Sequence, residues 1–136
     1  MAKRVLVIDD EADIREITQL TLKVTTDWEV WTAASGLEGI AIVRDRQPDL
    51  VLLDLMMPEL DGHMTCAQLK QDPATQDIPV IFLTAKVQAP EQLTLDEVGA
   101  AAVFTKPFNP TTLSTEIKQV LGWDEAAILS TAALPD

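Results

Sequence analysis

The 136-residue chain predicts an α/β fold, a doubly wound sandwich around a five-stranded parallel sheet. Two observations carry this. Short runs rich in Val, Ile and Leu recur along the chain, bounded by turn residues: Val5-Leu6-Val7-Ile8, Leu50-Val51-Leu52-Leu53, Val80-Ile81-Phe82-Leu83 and Val103-Phe104-Thr105. Runs without polar alternation fit strands buried on both faces. Between them the apolar residues recur at helical spacing, so strand and helix alternate five times.

Taken in order, the first strand ends at Asp9-Asp10, and a helix follows with Ile14, Ile17, Thr21 and Val24 on one stripe. Glu29 to Ala34 is the second strand. Ser35-Gly36 starts a helix that runs through Ile40 and Val43 to about Arg46, with Pro48 just past its stop. Leu50–Leu53 is the third strand, and Pro58 and Asp61-Gly62 mark a loop after Asp54. A third helix covers about His63 to Gln71 and ends at Asp72-Pro73. After Thr84, Pro90 suits the first turn of a helix running to Val98, with Gly99 as its cap. Asn109-Pro110 opens the last helix, Asn109 as N-cap, with Leu113, Ile117, Val120 and Leu121 as its buried stripe and Gly122 as its end. Residues 1–122 form one domain and 123–136 a short tail of one or two helical turns.

Composition narrows the function classes. With 47% apolar residues and 136 in all, one ordinary globular core is expected. No apolar run approaches the roughly 18 residues of a membrane span. Lys3-Arg4 leads straight into a strand without the apolar stretch of a signal peptide, and there is one cysteine, Cys66, so a cytoplasmic location is expected. A formal net charge of −12, with no basic arm, argues against direct nucleic-acid binding. His63, Cys66, Trp28, Trp31 and Trp123 are read as packing, edge or surface residues.

The chemistry lies at the strand ends. The four runs lead into Asp9-Asp10, Asp54, Thr84 and Lys106, and in an open parallel sheet the ligand crevice lies outside the carboxyl ends of the strands. Three carboxylates gathered there repel, at about 4 kcal/mol per pair for charges 4 Å apart at an effective dielectric near 20. A hard divalent cation relieves this. The donors are all oxygens, with no His or Cys cluster, and Mg²⁺ fits so sparse a site. A carboxylate beside Mg²⁺ is also a nucleophile toward phosphoryl groups. Asp54 stands alone at the end of its run and suits that role. Lys106 and the Thr84 hydroxyl are placed to neutralise the transferring group.

At these residues the chain resembles a receiver domain of the two-component response-regulator family, in the manner of the chemotaxis regulators. The motifs are Asp9-Asp10-Glu11, then Asp54 followed by Met56-Met57-Pro58-Glu59-Leu60-Asp61-Gly62, then Thr84-Ala85 and Lys106-Pro107-Phe108. The resemblance covers roughly residues 3 to 122 and implies a flavodoxin-like sheet of order 2-1-3-4-5. It implies that Asp54 is the phosphoacceptor, supplied by a sensor histidine kinase or phosphotransfer protein. Asp10, Asp54 and the Met56 backbone carbonyl would ligate Mg²⁺ directly and Asp9 through water, while Thr84 and Lys106 bind phosphoryl oxygens. The Lys106–Pro107 bond is cis in the family. It further implies a switch rather than an enzyme, a monomer or weak dimer, with an output partner bound through the face from Ala85 to Val120. The family's usual Tyr or Phe three residues before the lysine is Val103 here, and strand alternation turns Phe104 to the other face. Two other readings stay open: an Mg²⁺-dependent aspartyl-phosphate phosphohydrolase, although such enzymes usually carry a second Asp where this chain has Met56, and a receiver-like interaction module that is never phosphorylated.

Overall fold

A computed structural model describes residues 3–55, 57, 61–84, 100–105 and 108–123, Thr84 and Thr105 through their backbone. The strands are β1 (Arg4–Ile8), β2 (Glu29–Ala33), β3 (Leu50–Leu53), β4 (Val80–Thr84) and β5 (Ala102–Thr105). The helices among the described residues are α1 (Ala12–Thr25), α2 (Gly36–Arg46), α3 (Gly62–Gln71) and α4 (Leu113–Leu121). All strand pairs are parallel and the order is β2-β1-β3-β4-β5, as the sequence leads one to expect. The expected helix from Pro90 to Val98 and the Lys106–Pro107 bond lie outside the described residues.

Strand alternation divides the core in two. Leu6, Ile8, Val51, Leu53, Val80 and Phe82 point to the side covered by Ile40 and Val43 of α2 and Cys66 and Leu69 of α3. Val5, Val7, Leu50, Leu52 and Ile81 point to the other, against Leu22 of α1, Trp28, and Leu113 and Ile117 of α4. Val103 packs with the first group and Phe104 with the second, so the two residues do face opposite ways.

Local chemistry fixes the ends of the elements. The Ser35 hydroxyl accepts from the Glu38 N–H at 3.1 Å while the Glu38 carboxylate accepts from the Ala34 N–H at 2.7 Å, closing the start of α2 from both sides. Gln47 takes the left-handed conformation at its end, with φ 51°. The Asp61 carboxylate accepts from the Met64 N–H at 2.9 Å and caps α3. The Lys70 ammonium donates to the carbonyls of Gln76 and Ile78, at 3.1 and 2.8 Å, tying the α3–β4 connection to the helix it leaves.

Two helices differ from the sequence reading. In α1 the fully buried residues are Thr18 and Leu22, whereas Ile17 and Val24 of the expected stripe are 51% and 74% exposed. Threonine is tolerated inside because its hydroxyl donates to the Ile14 carbonyl at 2.7 Å, within the helix itself. The last helix begins at Leu113 rather than Pro110. The Asn109 carboxamide oxygen accepts from the Thr111 N–H at 2.9 Å and closes a preceding turn, and the N-cap is Thr112. Val120, placed in the buried stripe, is 41% exposed.

Candidate functional site

The site is assembled by the hydrogen-bond ladder of the three strands β2, β1 and β3. One residue past β1, the Asp9 N–H donates to the carbonyl of Ala33, the last residue of β2, at 3.1 Å. One residue past β3, the Asp54 N–H donates to the carbonyl of Ile8, the last residue of β1, at 2.9 Å. Both acids therefore emerge at the carboxyl end of the strands, from backbone that the ladder holds. Both are buried, Asp9 to 2% and Asp54 to 4% of full exposure.

Past Asp9 the chain turns sharply. The Asp9 carboxylate accepts from the Glu11 N–H at 2.9 Å, and its carbonyl accepts from the Arg15 guanidinium at 2.7 Å. This turn folds Glu11 back, so carboxylate oxygens of Asp9, Glu11 and Asp54 lie within 4.8 Å of one another. Asp10 is exposed on the same turn and is not part of that trio. The sequence reading gave Glu11 no role. Its signal is the third acid of the Asp9-Asp10-Glu11 run, which strand geometry alone would not turn toward Asp54.

On the far side of Asp54, α3 begins almost in contact with the Asp54–Leu55 backbone. The Gly62 N–H donates to the Leu55 carbonyl at 3.0 Å. A Cβ on Gly62 would stand 2.5 Å from the Asp54 carbonyl oxygen and 2.7 Å from the Leu55 Cα, so only glycine permits this approach. Next to it, His63 meets Phe82 of β4 edge-on, with ring centroids 6.0 Å apart. Its Nε2 is buried and makes no hydrogen bond among the described residues. Thr84 closes β4 at the same sheet end, one strand over from β3. Met56 and Lys106 lie outside the described residues.

Three carboxylates at such separations repel strongly in a partly dehydrated pocket. The arrangement suits a divalent cation bound by oxygen ligands and holds two buried carboxylates, those of Asp9 and Asp54, at the carboxyl end of the central strands.

Residues 5–118 match the response regulator receiver domain. The chain belongs to this family. The receiver is 40% identical over 131 residues to the "Probable transcriptional regulator ycf27" of Cyanophora paradoxa, covering 96% of this chain and 53% of that one. It is 40% identical over 121 residues to the phosphate regulon transcriptional regulatory protein PhoB of Pseudomonas aeruginosa, covering 89% and 52%. The chain thus spans about half the length of these curated relatives. Among solved structures, the chemotaxis protein CheY4 of Vibrio cholerae superposes with a TM-score of 0.81 at 29% identity, covering 88% of this chain and 99% of that one. The N-terminal domain of a receiver protein from Methanoculleus marisnigri superposes with a TM-score of 0.72 at 37% identity, covering 89% and 98%. The fold is therefore the flavodoxin-like receiver sandwich, and the chain is a signalling domain of two-component type. Among the described residues no helix is long and apolar enough to cross a membrane.

Proposed function

We propose that this receiver is a phosphorylation switch whose acceptor is Asp54. The observation that carries the reading is the burial of the Asp54 carboxylate beside those of Asp9 and Glu11, at the carboxyl end of the central strands. An Asp54 oxygen forms a bond to phosphorus as the P–N bond to a donor phosphohistidine breaks. The donor nitrogen keeps the electron pair and takes up a proton. The donor is a sensor histidine kinase or phosphotransfer protein. Thr84 and Lys106, from the ends of β4 and β5, bind the incoming phosphoryl oxygens.

The all-oxygen donor set fits Mg²⁺. Asp10, Asp54 and the Met56 carbonyl would hold it directly and Asp9 through water. When bound, the ion neutralises charge on the carboxylates and the phosphoryl group. The chain's own part is to shield and aim the Asp54 carboxylate. Phosphorylation draws the Thr84 hydroxyl and the Lys106 ammonium inward, since both gain a charged partner. The change reaches a downstream protein through the face from Ala85 to Val120. Val103 is small and β-branched, so loop movement rather than rotation of a ring transmits it. We place the receiver in the cytoplasm, as a monomer or weak dimer, with no direct contact to nucleic acid by this chain.

Incubation with acetyl phosphate and Mg²⁺, followed by intact mass, tests the reading. One phosphoryl adduct, absent from Asp54→Asn, is expected. Release of phosphate in many turnovers without an adduct would mark a phosphohydrolase, and neither adduct nor turnover an interaction module.

A further inference from the structure

The cations of this receiver are unevenly placed. Among the described residues, every lysine and arginine but one lies at the start of β1 or in the last turn of a helix, where the macrodipole favours positive charge. Arg15 is the exception. It is the fourth residue of α1, half-buried, at the helix end where the macrodipole opposes a cation. Helix stability gives no reason for a charge there.

The contacts of Arg15 give one. The Asp9 N–H makes the last rung toward β2, which ends at Ala33. For the Asp9 carbonyl the donor is the Arg15 guanidinium, at 2.7 Å, a charge-assisted bond. Two more bonds close a ring. The Glu11 N–H donates to the Asp9 carboxylate at 2.9 Å, and the Arg15 N–H donates to the Glu11 carbonyl at 3.0 Å. Asp9, Glu11 and Arg15 thus fix one another in a closed cycle. Glu11 is the N-cap residue of α1, yet its side chain makes no capping bond. Its carboxylate lies instead within 4.8 Å of those of Asp9 and Asp54.

Three carboxylates this close push apart, and something must hold the turn that gathers them. We propose that Arg15 is a positioning residue of the acceptor site. Its guanidinium, seated on the Asp9 carbonyl, fixes the turn that sets the Asp9 and Glu11 carboxylates against Asp54, and holds it before any cation arrives. The inference rests on the reading of this cluster as a cation-assisted acceptor site, and gives a divalent ion a preformed seat there.

Three variants of the full chain test this. Arg15→Met removes the guanidinium and keeps an unbranched stem, Arg15→Lys restores a charged donor, and Lys23→Ala removes a charge at the far end of α1. Exchange of the Glu11 amide, followed by NMR without metal, reports the bond to Asp9. Calorimetry reports Mg²⁺ affinity. In Arg15→Met the amide should exchange severalfold faster and Mg²⁺ should bind about tenfold more weakly, with circular dichroism unchanged. Arg15→Lys should recover most of both, and Lys23→Ala should alter neither. Unchanged Glu11 exchange in Arg15→Met would overturn the proposal. Faster exchange with unchanged Mg²⁺ affinity would overturn it too, leaving Arg15 a tie within the fold. If the unaltered protein takes up no Mg²⁺, the cation reading of the site fails, and the amide alone decides whether Arg15 holds the turn.

Discussion

Replacing Gly62 by alanine should damage the acceptor site without touching an acidic residue. The added methyl would meet the Asp54 carbonyl oxygen at 2.5 Å and the Leu55 Cα at 2.7 Å. Both are backbone atoms, so no side chain can rotate away. Restoring an ordinary contact of about 3.4 Å requires the start of α3 and the Asp54–Leu55 backbone to separate by nearly 1 Å. That movement weakens the 3.0 Å hydrogen bond from Gly62 to Leu55, worth about 1 kcal/mol, and adds overpacking strain of about 1–3 kcal/mol. Alanine returns up to about 1 kcal/mol of helix propensity, leaving a net loss of about 2 kcal/mol. Function should suffer more, because a displacement of about 1 Å at a reacting group can cost on the order of a hundredfold in rate. Urea unfolding gives the first quantity, and the rate of adduct formation with acetyl phosphate and Mg²⁺ gives the second. Gly39→Ala is the comparison. Its Cβ would meet the Ile8 Cδ1 at 2.3 Å and Cγ1 at 2.8 Å, atoms of a buried side chain rather than of the Asp54 backbone, so a comparable loss of stability but a rate within a fewfold of the original is expected. If Gly62→Ala keeps both the stability and the rate of the parent, the close approach of α3 does not position Asp54.

Three further outcomes follow from single groups. Asp10→Ala should weaken Mg²⁺ binding, followed by tryptophan fluorescence, at least about tenfold, or about 1.4 kcal/mol, the modest end of one carboxylate's attraction at short range. Loss in Glu11→Ala with retention in Asp10→Ala would instead assign the ion to the trio of Asp9, Glu11 and Asp54. Burial pushes the Cys66 thiol up to about 11 from 9.0, against the pull of the Lys70 ammonium. The fold therefore holds the thiol proton more tightly than the unfolded chain does. This contribution, at most about 2–3 kcal/mol, is complete below pH 9 and lost as pH rises through 11. Thiolate absorbance in the folded protein should titrate near 11, and a midpoint at 9.0 or below would refute the burial argument. His63→Leu removes a buried ring nitrogen that has no hydrogen bond among the described residues, at the expense of an edge-on contact with Phe82, and should raise stability to urea by about 0.5–1 kcal/mol. A loss would mean that the ring contact outweighs the orphaned nitrogen.

Much of the sheet was legible because parallel strands buried on both faces leave uninterrupted apolar runs. Val5–Ile8, Leu50–Leu53 and Val80–Leu83 admit few other readings. Helix faces were less legible. In α1, Ile17 and Val24 obey helical spacing as well as Thr18 and Leu22 do, and periodicity cannot choose between two stripes. The choice is made by the sheet, and a threonine that bonds its own backbone can win it. At the last helix, Asn109 has a capping side chain, but it spends that oxygen on a separate turn, four residues before the helix begins at Leu113. In the site, the strand-end acids Asp9 and Asp54 were visible as residues that follow apolar runs. Glu11 was not, because its place depends on a turn held by a hydrogen bond to Asp9.

The bonds from Asp9 to Ala33 and from Asp54 to Ile8 also bear on how the site comes into being. The two acids are forty-five positions apart, and each is tied to the strand beside its own. No local stretch of chain can bring them together, since the second bond closes only after β1 has accepted β3 as a neighbour across an entire intervening strand and two helices. Chemical competence is thus a property of the completed sheet. A nascent or partly melted chain with intact helices but an unzipped centre has all the acids and none of the buried cluster they form together.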